Sequence, residues 1–424
     1  MKTLNEKLNL LKKKLDGGER VTIAIFGLGS VGCYLLDYLV SLADPQLRIV
    51  VVGRNAEKMQ QDVNIIRTAA TIRRQMRSEI VVEGGCDFKD VASIEVALRK
   101  IQPDFIVNSS RLYAGLKYGT ISWSNLRAYG IWSPMSVLLG KNIMEAYGKV
   151  DCNAISINTS YSDAVIPWLK SAGMPYFDFG SGNLNHLIPR MKFFVAEKFG
   201  IKNLNDIDIT LVASHFHDVV ISKEGHTEGV KLLLSIKYQG KELDINHDEV
   251  YKACGILMPT DQKRNMMNAS SNFDIIYSIL SAIREKKAIK IHTPGVDGHI
   301  GGYPFIIDGT GNEVKGYMAP NYPLEEMEQV NRKSIYCDGI ENVENGSLIY
   351  TDELRTKVNN RFNVEIPKNV ALNNAENVAK MLIDSIIKPV AGGGYKFLII
   401  CKQLQNNNAV LPINSVRCGE RRAA

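Results

Sequence analysis

Apolar, β-branched runs alternate with stretches of helical periodicity over the first 165 residues, which predicts an α/β protein with a doubly wound parallel sheet. From about residue 166 the texture shifts to alternating strands with hairpin-like spacers. That predicts a second, α+β domain containing a mostly antiparallel sheet. A glycine-rich turn between the first strand and the helix after it marks a ligand site in the α/β part. The length of 424 residues also exceeds one compact domain of usual size. The predicted division is an N-terminal amphipathic helix over 1–20, an α/β domain over 21–165, an α+β substrate and dimerisation domain over 166–400, and a disordered tail over 401–424.

Leu4, Leu8, Leu11 and Leu15 form one stripe with Lys12, Lys13 and Lys14 opposite, and Gly17 and Gly18 end this helix. It packs on the body or on a partner subunit. Val21 to Phe26 is the first buried strand. It runs into Gly27, Gly29 and Gly32 in a G-x-G-x-x-G pattern, then into Leu35, Leu36, Leu39 and Val40 at helical spacing. This is the strand–turn–helix context of a Rossmann dinucleotide fingerprint. Gly27 permits the sharp turn, Gly29 lets the backbone approach a pyrophosphate, and Gly32 lets the helix pack closely on its strand. Ser30 and Val31 open the helix whose N-terminal amides hold the anion.

Leu47 to Val52 is the second strand and ends in Gly53, Arg54 and Asn55. No acidic residue stands at this tip to accept from a ribose 2′-hydroxyl. Arg54, helped by Asn55 and Lys58, suits a 2′-phosphate instead, so NADP(H) is favoured over NAD(H). A helix over 57–78 follows, with Met59, Val63, Ile66 and Met76 inward. Then come a strand at 80–82, a helix over 90–101, a strand over 104–110 with a polar end, and a strand over 154–158. Beyond residue 165, strands are predicted at 206–213, 219–221, 232–238 and 305–308, and a helix over 373–388.

Composition narrows the function. Hydrophobic residues make up 45% of the chain, an ordinary value for a protein with a full core. No stretch reaches membrane-span length and no apolar signal core opens the chain, so a cytoplasmic location is expected. Seven cysteines without C-x-x-C spacing read as free thiols, and no metal is expected. A net charge of +6 suits anionic small molecules and is far from a nucleic-acid signature. The expected partners are a small-molecule substrate, no nucleic acid, no membrane, and a second copy in a homodimer through the second-domain sheet or the leucine helix.

Three segments resemble the NADP-binding domain of the saccharopine dehydrogenase-like family: Gly27 to Gly32, Gly53-Arg54-Asn55, and Asp87-Phe88-Lys89-Asp90 followed by Pro103 to Asn108. The resemblance covers little more than a third of the chain. It implies that Asp87 and Phe88 lie near the adenine and that Asn108, Ser109 and Ser110 border the nicotinamide side. The middle of the chain, Ile157-Asn158 to Asp163, then Phe179 to Asn185, then Val212 to Asp218, is similar in order to the lactate/malate dehydrogenase superfamily. That likeness implies a catalytic histidine in the last segment. It departs from the pattern at Asn185, where a catalytic Asp is expected, and at Ile188, where an Arg is expected and only Arg190 is near. The 2-hydroxy acid substrate therefore does not carry over.

Hydride transfer to a carbonyl or imine needs a proton donor near the acceptor, and histidine titrates in the useful range. His215 and His217 lie beside Asp218 at a predicted strand end, where both would project to one face. One would act as acid/base while the other orients substrate; the alternative is a structural pair. Arg190 would bind a carboxylate or sit on a surface helix. Arg111, Asn158 and His186 are candidate substrate contacts. The glycine-dense stretch from His292 to Tyr303 is either a lid that brings His299 or Tyr303 to the substrate, or an ordinary tight connection. Tyr113 and Lys117 match a Tyr-x-x-x-Lys pattern that arises often by chance.

The function expected is NADP(H)-dependent hydride transfer at a C=O or C=N bond of a small, carboxylate-bearing or amino-acid-derived substrate. Two alternatives stand beside it. One is a dinucleotide- and metal-dependent hydrolase or lyase related to the malate dehydrogenase superfamily. The other is a noncatalytic NADP-binding protein with the leucine helix as its interface.

Overall fold

Six strands, β1 (Val21–Phe26), β2 (Leu47–Val52), β3 (Glu79–Glu83), β4 (Phe105–Asn108), β5 (Ile155–Asn158) and β6 (Phe179–Gly180), form one parallel sheet. The structure is a computed structural model that describes residues 2–113, 118–119, 121–182, 184–259 and 261–391. The strand order is β3-β2-β1-β4-β5-β6, so the winding reverses between β1 and β4. Open parallel sheets bind ligands at the carboxyl ends of strands at such a reversal. The sheet is doubly wound as predicted, but β6 lies past residue 165, so the sheet crosses the 165/166 boundary.

Alternation along the strands builds two cores. Val21, Ile23 and Ile25 of β1 enter one, with Ile49, Val107 and residues of the second half of the chain such as Ile209 and Phe305. Ala24 and Phe26 enter the other, with Ile106 and C-terminal residues such as Ile340, Leu348 and Tyr350. The last part of the chain thus returns to pack on the parallel sheet. The chief helices are α1 (Leu4–Asp16), α2 (Ser30–Ser41), α3 (Ala56–Ile72), α4 (Val91–Ile101), α5 (Ser133–Lys149), α6 (Ser162–Ser171), α7 (Leu184–Phe199), α8 (His215–Glu224), α9 (His247–Ala253), α10 (Asn265–Glu285), α11 (Leu324–Cys337), α12 (Asp352–Phe362) and α13 (Ala375–Leu382).

A capping box of Thr3 and Glu6 starts α1, and Leu8, Leu11 and Leu15 are buried against the chain's own body. Lys7 is buried with them and donates to both carboxylate oxygens of Asp178 at 2.8 Å. Beyond the parallel sheet, three antiparallel sheets confirm the α+β texture. They are β7 (Ile207–Val212), β8 (Leu233–Tyr238) and β9 (Lys241–Glu242); β10 (Ala288–Pro294), β11 (Gly302–Asp308) and β12 (Lys315–Met318); and β13 (Ile340–Glu344), β14 (Ser347–Tyr350) and β15 (Asn369–Ala371).

Three elements differ from the sequence reading. Residues 219–221 are not a strand but the centre of α8, whose buried Phe216, His217, Val220 and Ile221 follow helical spacing. Gly225, at φ 73°, closes it. Helix α3 ends at Ile72, not 78, because the chain turns through Arg74 in the left-handed region at φ 63°. The predicted helix over 373–388 is present and differs only in widening: α13 continues through a π-helical stretch at Ile383–Ile387 into a last helical turn at Lys388–Ala391. Residues 401–424 and Lys117 lie outside the described residues. Among those described, no helix is long and apolar enough to cross a membrane.

His292 on β10 is buried and its Nε2 accepts from the Leu211 amide at 3.2 Å. Burial, with the like charges of Lys290 and Lys192, pushes its pKa down to about 3. The unfolded chain takes up this proton near pH 6.5 and the folded one resists, so stability is lost as pH falls from 6.5 toward 3. His292→Gln keeps an acceptor for Leu211. It should remove about 2 kcal/mol of the acid sensitivity between pH 7 and pH 5, read by urea unfolding at the two pH values.

Candidate active site

The fingerprint turn leaves β1 at Gly27, whose φ of 99° lies in the region open to glycine. A Cβ on Gly27 would come within 3.1 Å of Ser110 Cα, and one on Gly32 would come within 2.3 Å of the Gly27 carbonyl oxygen. Ser109 Oγ donates to that same oxygen at 2.6 Å and fixes the turn from the β4 side. A Cβ on Gly29 would meet no atom within 4 Å, so the backbone there faces open space at the start of α2. That space belongs to a cavity of about 680 Å³ lined by Gly27, Gly29, Ser30, Val31, Gly53, Arg54, Asn55, Asp87, Phe88, Ser109 and Ser110. These residues fit a dinucleotide: an open glycine turn, a helix N-terminus and a cationic strand end lie in one groove. Asn55 Oδ1 accepts from the Lys58 amide at 2.9 Å and caps α3. Arg54 and Lys58 line the groove, and the described residues give their side chains no hydrogen bond or ion pair.

Gly32 packs behind the turn and does not line the groove. Asn108 is buried and also off the groove; its Oδ1 accepts from Ser110 N at 3.2 Å and Ser110 Oγ at 2.6 Å. Its Nδ2 donates to Asn158 at 2.9 Å, and Asn158 in turn holds Ser160 O and Ser162 Oγ. The two asparagines therefore shape the strand ends from within and are not ligand contacts.

A second cavity of about 680 Å³ adjoins the first, and Arg111, Asn265 and Asn268 line both. His215, the first residue of α8, lines it. His215 Nδ1 lies 3.0 Å from Asp338 Oδ2. Asp338 is completely buried. Tyr161 OH donates to the same carboxylate oxygen at 2.6 Å, and the Tyr129 amide donates to Oδ1 at 2.6 Å. The rings of Tyr129 and Tyr161 stand edge-on to the imidazole at 4.7 and 5.2 Å. The His215 amide donates to Asp163 Oδ1 at 2.9 Å.

A carboxylate at Nδ1 assigns that nitrogen the proton and leaves Nε2, which has no hydrogen-bond partner among the described residues. Burial pulls the His215 pKa down, but attraction and hydrogen bonding to Asp338, with Asp163 and Asp218, outweigh it, so the net shift is upward. Burial raises the Asp163 carboxyl to about 6.

His186 also lines this cavity. Its Nδ1 is 3.4 Å from Asp218 Oδ2, and its Nε2 is buried without a partner. Arg111 lines the cavity as expected for the residue after a polar strand end.

Five expected contacts are elsewhere. In a helix, positions two apart point about 200° apart, so His217 turns away from His215 into the core. There it bonds Ser334 Oγ and lies 3.0 Å from Thr227 O, and burial drops its pKa to about 4. Arg190 is buried on the same stripe as Leu187 and Met191, where its Nη1 donates to Cys254 O at 2.8 Å. Asn185 meets Asp274 at 3.4 Å. The stretch before β11 is a tight connection closed by Gly295 N donating to Gly301 O at 2.8 Å. It leaves His299 on Glu328 at 2.7 Å and Tyr303 buried, with its OH on Ile300 O at 2.7 Å.

Asp338, Tyr161, Tyr129, Lys223 and Arg264 escaped the sequence reading. Asp338 follows α11, 123 residues from His215, and looks like an ordinary helix end before Gly339. Among the described residues, the cluster with metal-ligand spacing is Glu224, His226 and Glu228, all exposed, and Arg127 already pairs with both glutamates.

No protein-family profile matches the chain, and no curated protein sequence matches it. Solved structures similar to it include a Cryptosporidium parvum malate dehydrogenase, with TM-score 0.48, 13% identity, and coverage of 75% of this chain and 96% of that one. Malate dehydrogenases of Plasmodium falciparum and Aeropyrum pernix each give a TM-score of 0.46, at 14% and 15% identity. Each covers 74% of this chain, and 95% and 97% of the respective other chain is covered.

Proposed function

We propose that the protein is an NADP(H)-dependent oxidoreductase acting at a C=O or C=N bond of an anionic small molecule. One observation carries this reading: the glycine-turn groove runs into the cavity of the His215–Asp338 pair, with Arg111, Asn265 and Asn268 shared by both. A nicotinamide dinucleotide, when bound, supplies or accepts the hydride. His215 Nε2 gives a proton to the carbonyl oxygen or imine nitrogen in reduction and takes it back in oxidation. Asp338 holds the ring in one orientation and stabilises its charged form, and Tyr161 and the Tyr129 amide hold Asp338. Arg111, which lines this cavity, fixes an anionic group of the substrate beside the reacting carbon.

Arg54 and Lys58 support the preference for a 2′-phosphate. Arg54→Ala should raise the KM for NADPH about tenfold or more and leave the KM for NADH nearly unchanged. Oxidation of NADPH against a panel of oxo acids and imines tests the whole reading. Turnover of at least one class, lost in His215→Asn, is the expected result. Inactivity across the panel despite tight NADPH binding would contradict it.

A further inference from the structure

We propose that the cavity beside His215 carries a dedicated subsite for a phosphomonoester group of the substrate, built from Arg264, Lys223 and the Nε2 of His186. The inference rests on reading that cavity as the substrate site. All three side chains line it. The guanidinium of Arg264 has no hydrogen bond or ion pair among the described residues; only its backbone amide is used, donating to Asp261 O at 3.2 Å. Lys223 has no anionic partner either, and its ammonium stands 5.2 Å from the centre of the Trp123 ring. Partial desolvation and the like charge of Arg264 lower its pKa, against a smaller opposing pull from Glu224, whose carboxylate is already paired with Arg127. His186 is nine-tenths buried, with Nε2 unpartnered. Leaving a buried polar nitrogen unpaired is costly unless a ligand meets it.

Of the two carboxylates on the cavity wall, neither pairs with Lys223 or Arg264. Asp218 is engaged by His186 at 3.4 Å and Ser222 at 3.5 Å, and Asp261 caps the turn before α10 through the Lys263 amide at 2.8 Å. The donors come from three elements: α7, α8 and the turn before α10. Three donors from three separate elements suit a tetrahedral dianion with three free oxygens better than a planar carboxylate, which takes two coplanar donors. The volume of about 680 Å³ leaves room for both a reacting carbon at His215 and a phosphate in the same cavity.

Calorimetric titration of the dinucleotide-free protein with inorganic phosphate, and separately with malonate, tests the subsite. Phosphate should bind, should bind more tightly than malonate, and should weaken about tenfold or more in Lys223→Gln/Arg264→Gln while keeping its affinity in Arg54→Ala. Equal phosphate affinity in the double variant, no phosphate binding at all, or malonate binding as tightly as phosphate would each overturn the proposal. Mass-spectrometric mapping of phenylglyoxal modification on the wild-type protein needs no variant. Phosphate should protect Arg264, and unchanged modification of Arg264 would overturn the proposal. Neither experiment involves a dinucleotide or turnover, so its failure leaves the oxidoreductase reading standing, and the reverse also holds.

Discussion

His215→Asn should lower turnover by about 10³-fold while leaving dinucleotide affinity nearly unchanged, because it removes the proton donor without touching the glycine groove. Asp338→Asn should act in the same direction. An amide at that position can still accept from Tyr161, but it can neither stabilise a charged imidazole nor hold Nδ1 with a full charge. In wild type the net effect of Asp338, Asp163 and Asp218 raises the His215 pKa. Reduction needs the protonated form, so its rate should fall as pH rises through that raised pKa. Oxidation needs the neutral form, so its rate should rise over the same interval. In Asp338→Asn the midpoint of both profiles should move to lower pH, since burial then acts with less opposition. A profile that does not move would remove Asp338 from the mechanism. Calorimetry of NADPH binding to both variants separates loss of chemistry from loss of the groove.

Gly32→Ala should destabilise the protein by about 1–3 kcal/mol and abolish dinucleotide binding at micromolar concentrations. The added methyl would lie 2.3 Å from the Gly27 carbonyl oxygen, which is backbone and cannot swing aside. Either α2 shifts off β1 or the turn opens. Both move the amides of Gly29 and Ser30 from the positions where they face the groove. Urea unfolding measures the first effect and NADPH calorimetry the second. Wild-type values in both would mean that the close approach of α2 to the turn is not needed.

The α/β half was legible because its signals are local. β1 and β2 are apolar runs broken only by Thr22 and Arg48, as strands buried on both faces nearly must be, and two of the glycines after β1 answer to local demands: Gly27 to its φ of 99° and Gly32 to the nearby Gly27 carbonyl. α8 was not legible as a helix because Val219, Val220 and Ile221 favour strand by propensity. Tertiary packing of the Phe216, His217 and Val220 stripe decided otherwise. That single reversal moved His217 from the site to the core. Arg190 was recoverable: its spacing from Leu187 and Met191 already put it on the buried face of α7. The partner of His215 was not recoverable. Asp338 arrives after four fifths of the chain has folded back on the sheet, and no residue near it distinguishes it from any helix-ending Asp-Gly. Arg264 and Lys223 share this limit, since what marks them is that, among the described residues, neither is paired with an acid in space.

Titration of the purified protein with NADPH and NADH, followed by nicotinamide fluorescence, tests the central claim that the glycine groove is a dinucleotide site. Saturable binding at micromolar NADPH, weaker binding of NADH, and loss of both in Gly32→Ala are the expected results. Failure of wild type to bind either dinucleotide would contradict that claim and leave the His215–Asp338 cavity without a hydride source.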